Sequence, residues 1–222
     1  MKKLKPKDPG SAITHFIGMI MALFAATPLL IKAATSPDAI HIISLTVFIL
    51  SMILLYAAST VYHTFNISKK VNKILKKLDH CMIFILIAGT YTPICLIVLG
   101  KTTGWFLFTL IWAMALAGII MKTCWVYCPK WLSSAVYIIM GWTCVLCFSP
   151  LINALPSRGF GWLLAGGIIY TIGGVIYALK LPIFNRKHAS FGSHEVFHLF
   201  VMGGSLCHFI LMYSFVATYP IG

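Results

Sequence analysis

The sequence is poor in charge, and most of its charge is positive. Only 9% of the 222 residues are charged, whereas soluble domains average about 25%. Asp and Glu together number 4, against 17 Lys and Arg, and 60% of the residues are hydrophobic. This composition is a poor fit to a water-soluble fold and favours a membrane protein.

The sequence also lacks a disulfide framework and a separate basic face. The 7 cysteines are odd in number and scattered, so they form no disulfide framework and are expected to be reduced. The net charge of +13 is divided among short clusters between apolar runs, with no separate basic face that could follow phosphates. No nucleic-acid partner is therefore expected.

Long apolar runs dominate what is present. A bilayer span needs about 20 mostly apolar residues, and backbone groups in hydrocarbon must be paired within the segment, so each run should be helical. The first run follows a lysine-rich start, as in a signal peptide, but six more follow it, so we expect it to remain as an anchor. The prediction is an all-α protein, a single domain over residues 1–222, with seven transmembrane helices at about Ile13–Ile31, Ile40–Tyr62, Asp79–Leu99, Gly104–Met121, Leu132–Ser149, Phe160–Leu179 and His194–Tyr219.

The distribution of Lys and Arg predicts the orientation of these helices. All but three of the 17 cations fall before the first span or in the second, fourth and sixth loops, and the exceptions are Lys32, Lys101 and Arg158. Positive charge collects on the cytoplasmic side. The N-terminus is therefore expected inside, the C-terminus outside, and the protein in the cell membrane.

Ionisable groups gather at one depth. His63 ends the second span, Asp79 and His80 open the third, and His194 and His198 open the seventh, all on the side assigned to the cytoplasm. Ionisable residues inside spans are costly and suggest function.

The spacing favours a metal. Residues 194 and 198 are four apart, about 400° of rotation and ~6 Å of rise on a helix, so both imidazoles leave the same face. With His63 they make three ligands and leave a fourth tetrahedral position for water, which is typical of catalytic zinc. Asp79 is the expected partner of that water, and Ser59, one turn before His63, is expected to orient the ring or the water.

Two other interpretations stay open. Histidines at helix ends also reach toward headgroups without binding metal. The string from His194 to His198, with Glu195 second, also matches the HExxH zinc protease motif, in which the glutamate is the general base. That mechanism would use Asp79 as its third ligand and leave His63 without a role.

His208 and His15 also lie in predicted spans. His208 lies nearly four turns deeper than His194 on roughly the same face, where it would line a cavity below the metal or bond between helices. His15 opens the first span, where we expect it to contact headgroups, with an approach to the histidine cluster as the alternative. The cysteine pairs and the glycine pairs 166–167, 173–174 and 203–204 indicate packing.

A set of short motifs resembles the hemolysin III family, the bacterial branch of the progestin and adiponectin receptor group. The resemblance runs from about Ser11 to Tyr219. Its motifs, in order along the chain, are Ser59-x-x-x-His63, Leu78-Asp79-His80, Ala88-Gly-Thr-Tyr-Thr-Pro93, and His194-x-x-x-His198 followed by Gly203-Gly-Ser205 and His208-Phe209.

The resemblance implies seven helices and a zinc ion held by His63, His194 and His198, with Asp79 at the zinc-bound water. It also implies that Glu195 is a permitted rather than a required residue. Because adiponectin receptors resemble ceramide hydrolases, the chain is expected to act on membrane lipids, as a zinc-dependent hydrolase of a lipid amide or ester. The alternatives are a non-catalytic sensor with structural zinc and, as the family name suggests, a cytolytic pore, although no amphipathic strand or repeated polar helix face supports the pore.

Overall fold

A computed structural model describes residues 6–179 and 192–221. Within those ranges all regular structure is helical, so the all-α prediction is confirmed. The α-helices are α1 (Pro9–Ala33), α2 (Ala39–Thr64), α3 (Lys69–Pro93), α4 (Lys101–Cys124), α5 (Lys130–Gly141), α6 (Phe148–Ala154), α7 (Ser157–Leu179) and α8 (Ser193–Leu211).

Seven segments of the described chain are long and apolar enough to cross a membrane, as the sequence predicted. A π-helical segment, Ile94–Val98, extends α3, and another, Met212–Val216, extends α8. Helices α5 and α6 together make the fifth span, Lys130–Ala154. Most helices begin or end within a few residues of the predicted limits.

The third span departs most from its predicted limits. Helix α3 begins at Lys69 rather than near Asp79, and the Ser68 side chain accepts a hydrogen bond from the Val71 backbone N–H as an N-terminal cap. Hydrophobicity missed these three turns because they are rich in lysine and extend beyond the apolar run. The predicted loop is therefore only residues 65–68.

The fifth span is broken where a continuous helix was predicted. A 3₁₀ segment, Thr143–Cys147, separates α5 from α6. The Tyr91 hydroxyl donates to the Gly141 carbonyl at 2.6 Å and accepts from the Cys144 backbone N–H at 2.9 Å. One buried side chain thus satisfies backbone groups that the break exposes inside the membrane.

Most of the described lysines lie at one end of the bundle, called here the lysine-rich end, where α2, α4 and α7 end and α1, α3, α5 and α8 begin. Several of them contact tyrosine rings: the ammonium groups of Lys7, Lys76 and Lys130 lie 3.6, 4.5 and 4.3 Å from the ring centres of Tyr62, Tyr127 and Tyr177. Such contacts are typical cation–π interactions. The orientation remains a prediction, and the cations Lys2, Lys3, Lys5, Lys180, Arg186 and Lys187 lie outside the described residues.

Glycines let α7 and α8 approach closely. A methyl group added at Gly173 would lie 2.6 Å from Cβ of Phe200, and one added at Gly204 would lie 2.8 Å from the Tyr170 ring. Small residues at such interfaces permit close backbone contact in membranes. The packing predicted for these glycine pairs is confirmed at both positions.

Candidate metal centre

Three histidines from two helices converge at the lysine-rich end. His63 lies in the last turn of α2, and His194 and His198 lie in the first turns of α8. One ligating nitrogen from each falls within 4.8 Å of the others. His63 and His198 are buried, and His194 is partly buried. The structure thus brings together residues that are 131 positions apart.

The spacing of the ring nitrogens suits a metal ion. Nε2 of His63 and Nε2 of His194 are 3.2 Å apart. A tetrahedral zinc ion with Zn–N bonds of about 2.0–2.1 Å holds its ligand nitrogens roughly 3.3 Å apart. The separation of these two nitrogens is therefore close to that of two ligands of one ion.

Asp8, just before α1, fixes the ring of His63. Its carboxylate lies 2.9 Å from Nδ1 of His63. The chain around Asp8 pairs with the end of α2, because the Asp8 backbone N–H donates to the His63 carbonyl at 2.9 Å. A carboxylate can only accept this bond, so Nδ1 carries a proton, and Nε2 is the nitrogen of a neutral ring that is left for a metal.

Helix α1 fixes the ring of His198 in the same way. Its Nδ1 lies 3.3 Å from the Ser11 carbonyl and 3.2 Å from the Thr14 hydroxyl. The hydroxyl proton of Thr14 is directed at the carbonyls of Gly10 and Ser11, both at 3.0 Å. Both partners of Nδ1 therefore accept, so Nδ1 carries a proton and Nε2 of a neutral His198 ring is again the nitrogen left for a metal. This donor set fits a metal such as zinc, copper, iron or nickel.

His15 also belongs to this region, and its expected contact with headgroups is wrong. It is only 3% exposed, and its ring stacks on His198 with centres 3.6 Å apart and an angle of 5° between the planes. Neither of its ring nitrogens has a hydrogen-bond partner among the described residues. The turn of α1 that carries it packs directly against α8.

Asp79 and Ser59, the two predicted partners of a bound water, both line the cavity that reaches the histidines. Each is buried, at 7% and 1% exposure. The Ser59 hydroxyl is close to the Asp79 carboxyl and makes no well-formed hydrogen bond to the described residues, so it can orient that carboxyl or a bound water. His80, beside Asp79, lines the same cavity.

The cavity has a volume of about 160 Å³ and lies among α3, α5, α7 and α8. Polar groups concentrate at the end with His194 and His198, whereas Phe148, Leu151 and Leu163 line it farther along. His208 also lines it, which is one of the two roles expected for it, and its ring stacks on Tyr170 at 5.5 Å and 21°. An apolar cavity with a polar end is the usual form of a small-molecule site.

Glu195 does not occupy the position of a protease base. One carboxylate oxygen accepts from the Gly192 backbone N–H at 2.8 Å, and the other accepts from the Ser11 hydroxyl at 2.6 Å. The side chain therefore caps the start of α8 and ties it to α1. It is also absent from the residues that line the cavity.

The contribution of α1 was missed from the sequence. Asp8, Ser11 and Thr14 lie more than 50 positions from the histidines they contact. The only readable signal was that Asp8 is one of just 4 acids and falls at the end where the histidines gather.

Comparison with known proteins agrees with the motifs. Residues 4–209 match the family described as Haemolysin-III related. The chain is 39% identical to Hemolysin-3 of Bacillus cereus over 97% of its own length and 94% of that protein, and 39% identical to the Hemolysin-3 homolog of Bacillus subtilis over 96% of both. It is also 25% identical to the adiponectin receptor protein of Drosophila melanogaster, over 91% of its own length and 49% of the receptor.

Proposed function

The chain belongs to the haemolysin-III related family and is a multi-pass protein of the cell membrane, and we propose that it is a zinc-dependent hydrolase of membrane lipid amides or esters. His63, His194 and His198 would hold the ion. The proposal includes the orientation expected from the lysines, with the site near the cytoplasmic surface.

One observation carries this proposal. The rings of His63 and His198 are each held through Nδ1 by acceptors from the start of α1, so Nε2 is the nitrogen that each neutral ring would offer to a metal. Hydrogen-bonded imidazoles of this kind are typical of zinc sites, where the outer partner fixes the ring and raises its basicity. Histidines that only packed between helices would not need this arrangement at two rings.

A bound zinc ion would supply a Lewis acid that makes water a nucleophile near neutral pH. Asp79 would accept the proton of the attacking water, because it is a buried carboxylate at the same end of the cavity. Ser59 would position that water or the carbonyl of the substrate through its hydroxyl, which is close to Asp79. The protein groups thus supply proton transfer and orientation.

The cavity suggests the class of substrate. Its far end is lined by Leu and Phe side chains, which suit an acyl chain, and its polar end suits the amide or ester group. The histidine end would then face the bond to be cleaved. Membrane lipids are the proposed partners.

Hydrolysis of a lipid amide by the zinc-loaded protein in lipid vesicles tests this function. Replacing Asp79 with Asn should lower the rate at least about 100-fold, since general base catalysis contributes that much or more, and should leave the zinc content unchanged. Asp38→Asn, at the opposite end of the bundle, is the matched control and should keep full activity. A wild-type protein that holds zinc but cleaves no lipid amide or ester would contradict the proposal.

A sensor with structural zinc is the second candidate. The capping role of Glu195 and the contacts of α1 with α8 favour it, because they show that the histidine cluster lies where three helix ends are joined. It predicts that the zinc-loaded wild-type protein cleaves no lipid amide or ester, so that Asp79→Asn changes no hydrolysis rate. A cytolytic pore, suggested by the name of the Bacillus cereus relative, is the third candidate and predicts leakage from dye-loaded vesicles.

A further inference from the structure

His208 lies in the wall of the central cavity, away from the histidine cluster. It belongs to the face of α8 that lines this cavity, together with His194, His198 and Val201. Ten residues separate it from His198 along this helix, which is a rise of about 15 Å. The cavity thus has a polar ring well inside the part that an acyl chain would fill.

The His208 ring makes no hydrogen bond to any residue that the structure describes. The bond between helices that was the other role expected for it is therefore not formed with those residues. The side chain is only 6% exposed, and a buried polar group that stays unpaired is unfavourable. The ring is suited to a partner that enters the cavity.

Two neighbouring polar groups of the cavity wall are already paired within the protein. The Tyr170 hydroxyl lies 2.8 Å from the Ser205 hydroxyl. The Trp142 indole N–H donates to the Thr171 hydroxyl at 2.9 Å. These groups need no ligand, whereas the hydrogen-bonding capacity of His208 is unused.

Helix α7 leaves room for the ring without forming a hydrogen bond to it. A methyl group added at Gly166 would lie 2.7 Å from Nε2 and 2.9 Å from each of the two neighbouring ring carbons, so a larger residue would displace the imidazole. The ring also stacks on Tyr170, with centres 5.5 Å apart and 21° between the planes. Packing alone therefore holds the ring, and its nitrogens stay available to a ligand.

The chemistry of the ring indicates the kind of ligand group. No charged side chain in the described ranges forms an ion pair with His208, and an isolated buried charge is strongly unfavourable, so the neutral ring is favoured. A neutral imidazole has one N–H donor and one acceptor nitrogen. A hydroxyl group is complementary to either nitrogen because it can both accept and donate.

We propose that His208 binds a hydroxyl group on the acyl chain of the lipid in the cavity. The inference deepens the proposed function and rests on it for one point, the position of the lipid carbonyl beside the histidine cluster. An extended chain advances roughly 1.2 Å per single bond, a third of the advance of an extended residue. The rise from His198 to His208 then puts the hydroxyl about 12 carbons from the carbonyl.

Equilibrium binding of two fatty acids to the zinc-loaded, full-length protein in detergent tests this subsite. Fatty acids are the products that the proposed hydrolysis would release, so they are not cleaved during the measurement. One probe is octadecanoic acid, and the other is the same acid with a hydroxyl about 12 carbons along its chain. The ratio of the two affinities is compared between proteins, which cancels any difference in how the acids enter the detergent.

The wild type should favour the hydroxylated acid by about 3- to 10-fold over the ratio found in His208→Phe, which is the effect of one hydrogen bond. The Phe variant keeps an aromatic ring but has no nitrogen. Tyr170→Phe is the matched control and should keep the wild-type ratio, because the hydroxyl it removes is already paired with Ser205. Moving the hydroxyl of the probe to about half its distance from the carboxyl group should abolish the preference in the wild type, and this comparison needs no variant.

Equal affinity ratios in the wild type and a folded His208→Phe protein would overturn the proposal. The same preference wherever the hydroxyl is placed, or no binding of either acid, would also overturn it. Binding does not require cleavage, so the two hypotheses fail separately. Hydrolysis of lipid amides without a hydroxyl preference would remove the His208 subsite alone, and a hydroxyl preference in a protein that cleaves no lipid would remove the hydrolase alone.

Discussion

The two ends of α2 carry two buried histidines with opposite surroundings. His41, at the first end, is 2% exposed, and His63, at the last, is 3% exposed. The ring nitrogens of His41 contact the backbone carbonyls of Asp38 and Tyr219, at 3.4 and 2.9 Å. His63 contacts a carboxylate on one side and a second imidazole on the other.

This difference shows that burial alone does not identify a candidate metal ligand. His41 closes the opposite end of the bundle through backbone contacts, and one lysine there, Lys32, likewise donates to a backbone carbonyl, that of Tyr213 at 2.7 Å. Nδ1 of His63 is fixed by the Asp8 carboxylate, and Nε2 faces the ring of His194, which is also a candidate ligand. The hydrogen-bond partners of a buried histidine therefore distinguish a packing role from a candidate ligand role.

The largest effect is expected when the Asp8 carboxylate, which contacts His63, is removed. Asp8→Asn keeps the size of the side chain but weakens the bond that fixes the ring. Loss of such a partner typically lowers metal affinity 10–100-fold. Zinc titration with a competing chelator would measure the change.

Asp38→Asn is the matched control for Asp8→Asn, because Asp38 occupies the equivalent place before α2 at the opposite end. It should leave zinc affinity unchanged. Equal affinity in all three proteins would show that Asp8 does not support His63, and the distinction between the two ends of α2 would lose its basis.

A smaller effect, on stability, is expected for substitutions next to His208, which lies in the cavity away from both ends of α2. A methyl group at Gly166 would lie 2.7 Å from Nε2 of His208, whereas one at Gly167 would lie 4.0 Å from the Trp142 ring. Gly166→Ala should therefore destabilise the protein by about 1–3 kcal/mol, as overpacking does. Gly167→Ala should be neutral or stabilise by roughly 0.5–1 kcal/mol through helix propensity.

Thermal unfolding in detergent would measure this pair of variants. The zinc content of both should match the wild type, because His208 is not one of the clustered histidines. Equal stability of the two variants would mean that α7 and α8 do not approach at Gly166 as described.

Much of the fold was predictable because hydrophobicity is a local property of the chain. Each apolar run predicted a helix, and the depth of His63, His194 and His198 along their runs predicted that they would meet. The lysine-rich start of α3 and the break after Gly141 were not predictable in this way. The first carries no apolar signal, and the second depends on a hydrogen bond from Tyr91 on another helix.

The same limit applies to the site. The histidines share a depth that can be read from the sequence. The acceptors that fix them come from the start of α1, and no sequence pattern indicates that this helix packs against α8.

Metal content tests the central claim most directly. The protein would be purified in detergent and analysed by mass spectrometry as wild type, His63→Ala, His41→Ala and Glu195→Gln. We predict about one zinc ion per chain in the wild type, His41→Ala and Glu195→Gln proteins, and none in His63→Ala. Zinc retained by folded His63→Ala, or lost equally from His41→Ala, would contradict the assignment of the histidine cluster as a metal centre.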